Sequence, residues 1–133
     1  MIFRIRTIID MEIRKGLKLI IAGSRDIWLK HDELFEIIDK FGILYEIDEI
    51  VSGCASGIDS SAIEFAVRYK IPLKRFEANW DKYGKLAGPR RNLEMATYAD
   101  ALLLIWDGRS RGSLNIRTRM KGMGKQIFEV VKE

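Results

Sequence analysis

Residues 47–69, IDEIVSGCASGIDSSAIEFAVRY, decide the fold class. A strand read from Ile47 to Ser52 meets a loop of small residues containing Gly53 and Gly57. Ala62, Phe65, Ala66 and Tyr69 then recur at helical spacing. A strand, a glycine-rich turn and a helix in direct succession form half of a crossover unit. Repeated along a chain, such units build a mostly parallel sheet with helices on both faces.

The same pattern extends in both directions. Upstream, Leu17 to Ala22 (LKLIIA) reads as a strand ending at Gly23-Ser24-Arg25-Asp26, and Leu34, Ile37, Ile38 and Phe41 mark a helix stopped by Gly42. Downstream, Pro72 to Phe76 is a short third strand, and residues 77–88 read as the one long irregular stretch. Pro89 then opens a helix running to about Tyr98, because its missing N–H is tolerated in a first turn. Ala101 to Trp106 is the most apolar strand and is placed at the centre of the sheet. A loop from Gly108 to Gly112 follows, with Ser113 as the cap of a helix whose buried stripe is Ile116, Met120 and Met123. Gln126 to Val131 closes the sheet. The expectation is an α/β three-layer sandwich of about five strands in one domain over 17–133, preceded at 1–16 by an extension or an edge strand.

Composition narrows the function classes. The chain has 133 residues and 15.4 kDa, enough for one core, and 47% hydrophobic with 32% charged residues is a globular balance. Its longest purely apolar run is Ala101 to Trp106, far short of the roughly 20 residues that span a membrane. The N-terminus alternates Arg4, Arg6 and Asp10 with apolar residues and lacks a secretory h-region. With Cys54 the single cysteine, a cytoplasmic setting is expected, with no metal site and no cofactor. His31, the one histidine, precedes an amphipathic helix and reads as a surface residue. Net charge is +4, and it is localised: residues 108–125 hold six cations and no acid, so the remaining 115 residues carry a net −2. A basic patch fits an anionic ligand or a solvated helix face equally well on charge alone.

In parallel α/β sheets ligands sit beyond the C-terminal strand ends, and every glycine-rich stretch here falls at such an end. In the first, Gly23 admits a close approach, Ser24 offers a donor, Arg25 forks onto an oxyanion, and Asp26 hydrogen-bonds within the turn. In the second, Gly53 and Gly57 bracket small residues ahead of a positive helix end, and Asp59 falls in that helix's first turn. No Gly-Lys-Ser/Thr follows and no Gly-x-Gly-x-x-Gly is present. Cys54 reads as a small packing residue, since no histidine lies nearby. In the third, Trp80 and Tyr83 offer stacking faces or pack on the sheet edge. Gly88 precedes Arg90 and Arg91, either of which suits a phosphate, and Asn92 lies one turn beyond Gly88. In the fourth, Gly112 and Ser113 open a helix flanked by Arg109 and Arg111.

Together these stretches resemble the SLOG superfamily, a Rossmann-like group that includes DprA and the LOG-type nucleotide hydrolases, and within it the YspA-like, YpsA-related group. The likeness covers residues 17–131. It rests on Ala22-Gly23-Ser24-Arg25-Asp26, Ser52-Gly53 to Gly57-Ile58-Asp59, Asn79-Trp80-Asp81-Lys82-Tyr83-Gly84, Ala87-Gly88-Pro89-Arg90-Arg91-Asn92 and Gly112-Ser113. It implies a Rossmann-like sheet binding a nucleotide or nucleotide-derived ligand, as a sensor or processing domain, with homodimerisation common among relatives. Gly23, Ser24, Arg25, Gly53 and Gly57 are then expected on the phosphate side, Arg90, Asn92, Gly112 and Ser113 opposite, and Trp80 or Tyr83 over the base or ribose.

Two alternatives stay open. LOG-type relatives cleave the N-glycosidic bond with a glutamate, but Ile116 stands at that place here, and only Asp59 or Asp81 is left to substitute. No catalytic residue is assigned. The Val51-to-Asp59 stretch is close to a DprA signature, which raises single-stranded DNA binding, aided by Arg117, Arg119 and Lys121. A strand needs a groove longer than one pocket, so nucleic acid ranks below a small molecule.

Overall fold

A computed structural model describes residues 16–132. Five strands form one all-parallel sheet: β1 (Leu17–Gly23), β2 (Ile47–Ser52), β3 (Leu73–Arg75), β4 (Ala101–Trp106) and β5 (Gln126–Val131), in the order β3-β2-β1-β4-β5. Helices α1 (His31–Lys40) and α2 (Ile58–Arg68) cover one face. The other carries α4 (Ala87–Tyr98) and α5 (Arg111–Gly122), while a single turn, α3 (Trp80–Tyr83), leads into α4. The chain is a three-layer α/β sandwich of the Rossmann-like kind. The expectation for 1–16 falls, apart from Gly16, outside the described residues.

Strand alternation builds the two cores. Leu19 and Ile21 of β1 join Leu103 and Ile105 against Leu34, Ile38, Ala62 and Phe65. Ile20 and Ala22 point the other way and meet Leu102, Leu104, Met95, Ala96, Ile116 and Met120. Each fully buried Leu or Ile contributes about 1.5–3 kcal/mol, so this two-sided burial is the main force fixing the strand order. β4 is buried throughout, as its composition predicts, but the middle strand is β1. After β3 the chain crosses to the far side of β1, so the order reverses between β1 and β4. A crevice opens at their C-terminal ends for that reason.

Four boundaries differ from expectation. Residues 77–88 are largely helical: Asn79 caps α3 by accepting from the Lys82 amide at 3.1 Å, and a 3₁₀ turn at Gly84–Leu86 runs into α4. Helix α4 starts at Ala87, with Pro89 inside its first turn, where backbone N–H groups lack intrahelical partners anyway. Helix α5 is capped by Ser110 and not by Ser113. The Asp107 carboxylate accepts from the amides of Arg109 and Ser110 at 2.8 and 2.9 Å and folds the loop tightly enough for the helix to begin early. Met123 is exposed because α5 ends at Gly122 and the chain turns away through Gly124 at φ +69°.

Candidate functional site

The cleft lies where the loops after β1 and β2, the start of α4 and the start of α5 meet. It has two adjoining lobes. The inner lobe, about 330 Å³, lies among Gly23, Asp59, Asn92, Ser110, Arg111, Gly112, Ser113 and Ile116. The outer lobe, about 410 Å³, extends past Gly53, Cys54 and Ser56 to Glu77, Ala78 and Trp80. Arg25, Ala55 and Arg91 wall both.

The glycines serve mainly backbone approach. Gly23 is the last residue of β1, and a Cβ there would sit 1.7 Å from the Ile105 carbonyl oxygen of β4. Gly57 adopts φ +73°, and its Cβ would meet the Ser24 carbonyl oxygen at 2.3 Å. The first two loops are packed on each other there: the Ile58 amide donates to the Ser24 carbonyl at 3.2 Å and Ser56 Oγ to the Arg25 carbonyl at 3.3 Å. Ser24 is buried, and its hydroxyl accepts from the Asp107 amide at 3.0 Å, tying β1 to β4. Ser24 and Gly57 therefore line neither lobe, and exposed Asp26 lies outside as well. Gly53 does line the outer lobe, where a Cβ would crowd Arg91 Nη1 at 2.7 Å.

The first turn of α2 does not present a free anion cradle. Asp59 folds back so that its Oδ2 accepts from the Ala55 amide at 3.2 Å, and the chain's own carboxylate takes the place that the glycine loop offers an external anion. Asp59 is 5% exposed. Burial pushes its carboxyl above the usual range, offset in part by the Ala55 amide, Arg91, the Gly23 amide and Arg25. Arg91, pulled down by burial and supported by Asp59, donates from Nη1 to the Gly53 carbonyl and from Nε to Asn92 Oδ1 at 2.9 Å.

The first turn of α5 is different, since it contains no acidic side chain. Asn92 braces it, donating from Nδ2 to the Gly112 carbonyl at 3.3 Å and to Asn115 Oδ1 at 3.1 Å. With its amide committed to the protein, Asn92 acts on the cleft through α5. Ser113 is 3% exposed, and its Oγ has no hydrogen-bond partner in the structure. A buried hydroxyl left unbonded costs about 1–3 kcal/mol, and this one belongs to a residue that lines the inner lobe beside a positive helix end. Ile116 is buried and puts an apolar wall where LOG-type relatives carry their glutamate.

On α4 the structure selects Arg91 for the cleft. Arg90 is exposed and stacks 4.0 Å from the Tyr83 ring centroid, so Arg90 and Tyr83 satisfy each other outside both lobes. Helical spacing carries a signal for Arg91: it lies beside Asn92 and four residues before Met95, both of which line the inner lobe, and Arg90 does not share that face. Gly88 seats Trp80 and lines neither lobe; a Cβ there would lie 3.2 Å from the indole Cη2. Trp80 is half exposed at the rim of the outer lobe. Cys54 lines that lobe at φ +64°, with its thiol pushed up by burial and by Glu77, the opposite of an activated nucleophile. His31 is partly buried, its Nδ1 3.2 Å from the Tyr69 hydroxyl, and it lines neither lobe.

Half of the basic stretch is committed internally. Arg117 pairs with Glu129 at 2.9 Å, and Arg119 donates to Asn115 Oδ1 at 3.1 Å. Lys125 Nζ donates to the Ala96, Thr97 and Ala99 carbonyls at 2.7, 3.1 and 2.7 Å, capping the C-terminus of α4. Arg111 is the one of the six that lines the cleft.

Among the described residues no helix is long and apolar enough to cross a membrane, and no group of His, Cys, Asp or Glu forms a metal-binding cluster. No curated protein matches the sequence. Among solved structures, DNA processing protein A (DprA) from Streptococcus pneumoniae superposes with a TM-score of 0.70 at 21% identity. The match covers 90% of this chain and 52% of that one, so the chain spans about half of DprA's length. At that identity the likeness establishes the fold. The sequence profile of the YspA, cpYpsA-related SLOG family matches residues 17–83, which carry the first two loops and the Trp80–Tyr83 turn, and the chain belongs to that family.

Proposed function

We propose that the cleft binds a nucleotide or nucleotide-derived small molecule, with the phosphate in the inner lobe and the remainder in the outer one. The carrying observation is the contrast between two helix N-termini at one cleft. That of α2 is satisfied by its own Asp59, whereas that of α5 has no acid and carries the unbonded Ser113 hydroxyl. Arg25 and Arg91 stand where the lobes join, so both sit beside a phosphate held at Ser113, and Trp80 offers a ring face at the outer rim. Binding is favoured over glycosidic hydrolysis because Ile116 supplies neither a base nor a charge, and Asp59 is engaged with the Ala55 amide.

A dose-dependent thermal shift with nucleotides tests the reading, since stabilisation follows ligand concentration relative to Kd. Arg25→Ala should weaken that binding by about 1.5 kcal/mol, the low end for a charged hydrogen bond because Arg25 is exposed. Unchanged affinity in the variant removes Arg25 from the site. Release of free base, followed by chromatography, would turn the reading to hydrolysis. Affinity rising with strand length and falling steeply with salt would turn it to single-stranded DNA.

A further inference from the structure

The two lobes differ in polarity, and the difference names the class of ligand more narrowly. Arg25 and Arg91 wall both lobes; the inner one adds Arg111, Ser113 and the positive end of α5, and its acid, Asp59, is already bonded to the Ala55 amide. The outer lobe has one acid, Glu77, set just beyond β3 beside the Trp80 rim. No hydrogen bond or ion pair to another described residue engages the Glu77 carboxylate, and its charge is felt at Cys54 within the same lobe. A carboxylate accepts hydrogen bonds only, so it favours a ligand that brings donors and disfavours a second anionic group. Trp80 next to it favours a flat ring or the apolar face of a sugar.

We infer that Glu77 is a specificity-determining residue that accepts from the sugar hydroxyls of a ribonucleoside 5′-phosphate whose phosphate lies in the inner lobe. The inference rests on the nucleotide reading above and extends it in two directions. A 2′-deoxyribonucleotide forfeits a hydrogen bond to a charged acceptor. A nucleotide that also carries a 3′-phosphate, as every internal residue of a DNA strand does, brings a second anion to Glu77. A pocket built to receive a hydroxyl discriminates against the analogue that lacks it, because the polar group is left unpaired. With Glu77 exposed to water, the discrimination should be roughly five- to tenfold, somewhat less than a shielded charged hydrogen bond gives.

Titration calorimetry with the full chain tests this. The probes are the 5′-monophosphates of adenosine, guanosine, cytidine and uridine, their 2′-deoxy counterparts, and the 3′,5′-bisphosphate of the best binder. The expected order is ribonucleotide, then deoxyribonucleotide about five- to tenfold weaker, then the bisphosphate weakest. Glu77→Ala, which removes the acceptor, should bring all three within about twofold of one another, with an unchanged melting temperature showing that the fold survives. Equal wild-type affinity for the ribo and deoxy forms would overturn the role of Glu77 while leaving nucleotide binding intact. A preference that persists in Glu77→Ala would do the same. Binding of none of the probes would overturn both readings together.

Discussion

Ser113→Ala removes one buried oxygen beside the inner lobe and should move stability and affinity in opposite directions. The hydroxyl is buried with no partner, a burden of about 1–3 kcal/mol in the ligand-free protein that alanine does not carry. Alanine is also the better helix former, by a few tenths of a kcal/mol, and the position lies in the first turn of α5. Against this stand the dispersion contacts of a single lost atom, each about 0.1–0.2 kcal/mol. The net gain is about 1 kcal/mol, which for a domain of this size raises Tm by roughly 3–5 °C. A phosphate held at the helix N-terminus loses a hydrogen bond to a charged acceptor, so affinity for a bound 5′-mononucleotide should fall about tenfold or more. Thermal unfolding and titration calorimetry on the same two proteins read both effects. A variant that melts lower yet binds as tightly as the wild type would show that the hydroxyl is an internal strut, and the assignment of the phosphate to α5 would fail.

Asp59→Asn should change the pH profile of stability. A buried acid whose native value is raised binds more protons folded than unfolded, so its ionisation lowers stability as pH rises from near 4 through the raised native value. Denaturant midpoints at pH 4, 5, 6 and 7 should therefore shift progressively in the variant's favour relative to wild type, and a shift the other way would reverse the sign assigned to Asp59. Gly57→Ala places a Cβ 2.3 Å from the Ser24 carbonyl at φ +73° and should cost at least about 2 kcal/mol, whereas Gly112→Ala meets no atom within 4 Å in a helical position. The second substitution should be neutral or stabilising by about 0.5–1 kcal/mol, and equal losses from both, measured by urea unfolding, would contradict the separation of roles drawn for these glycines.

Much of this molecule was legible in its sequence because the signals are local. Short segments rich in Ile, Leu and Val that run into glycine-containing loops marked β1, β2 and β4, and helical repeats such as Leu34-Ile38 and Ala62-Phe65-Ala66 marked the faces that cover them. Those patterns also placed the cleft, since the position of strand ends follows from strand direction alone. Helix boundaries were less legible. Whether Ser110 or Ser113 caps α5 depends on how the Asp107 carboxylate folds the preceding loop, and both serines are good caps. Which of the candidate residues line the cleft, and which are already bonded within the protein, came from tertiary structure. Two glycine-led helix starts looked equally able to hold an anion until Asp59 was seen bonded to the Ala55 amide, and Ser24 looked like a ligand donor until its hydroxyl was found on Asp107. Arg90 and Arg91 are neighbours in sequence, yet one meets Tyr83 and the other crosses the cleft to the Gly53 carbonyl. Periodicity assigns a residue to a face because it depends on backbone geometry over a few positions. Whether a polar group on that face is already satisfied depends on partners from four residues away, as for Asp59 and Ala55, to 83 away, as for Ser24 and Asp107, and the packed fold decides which partners those are.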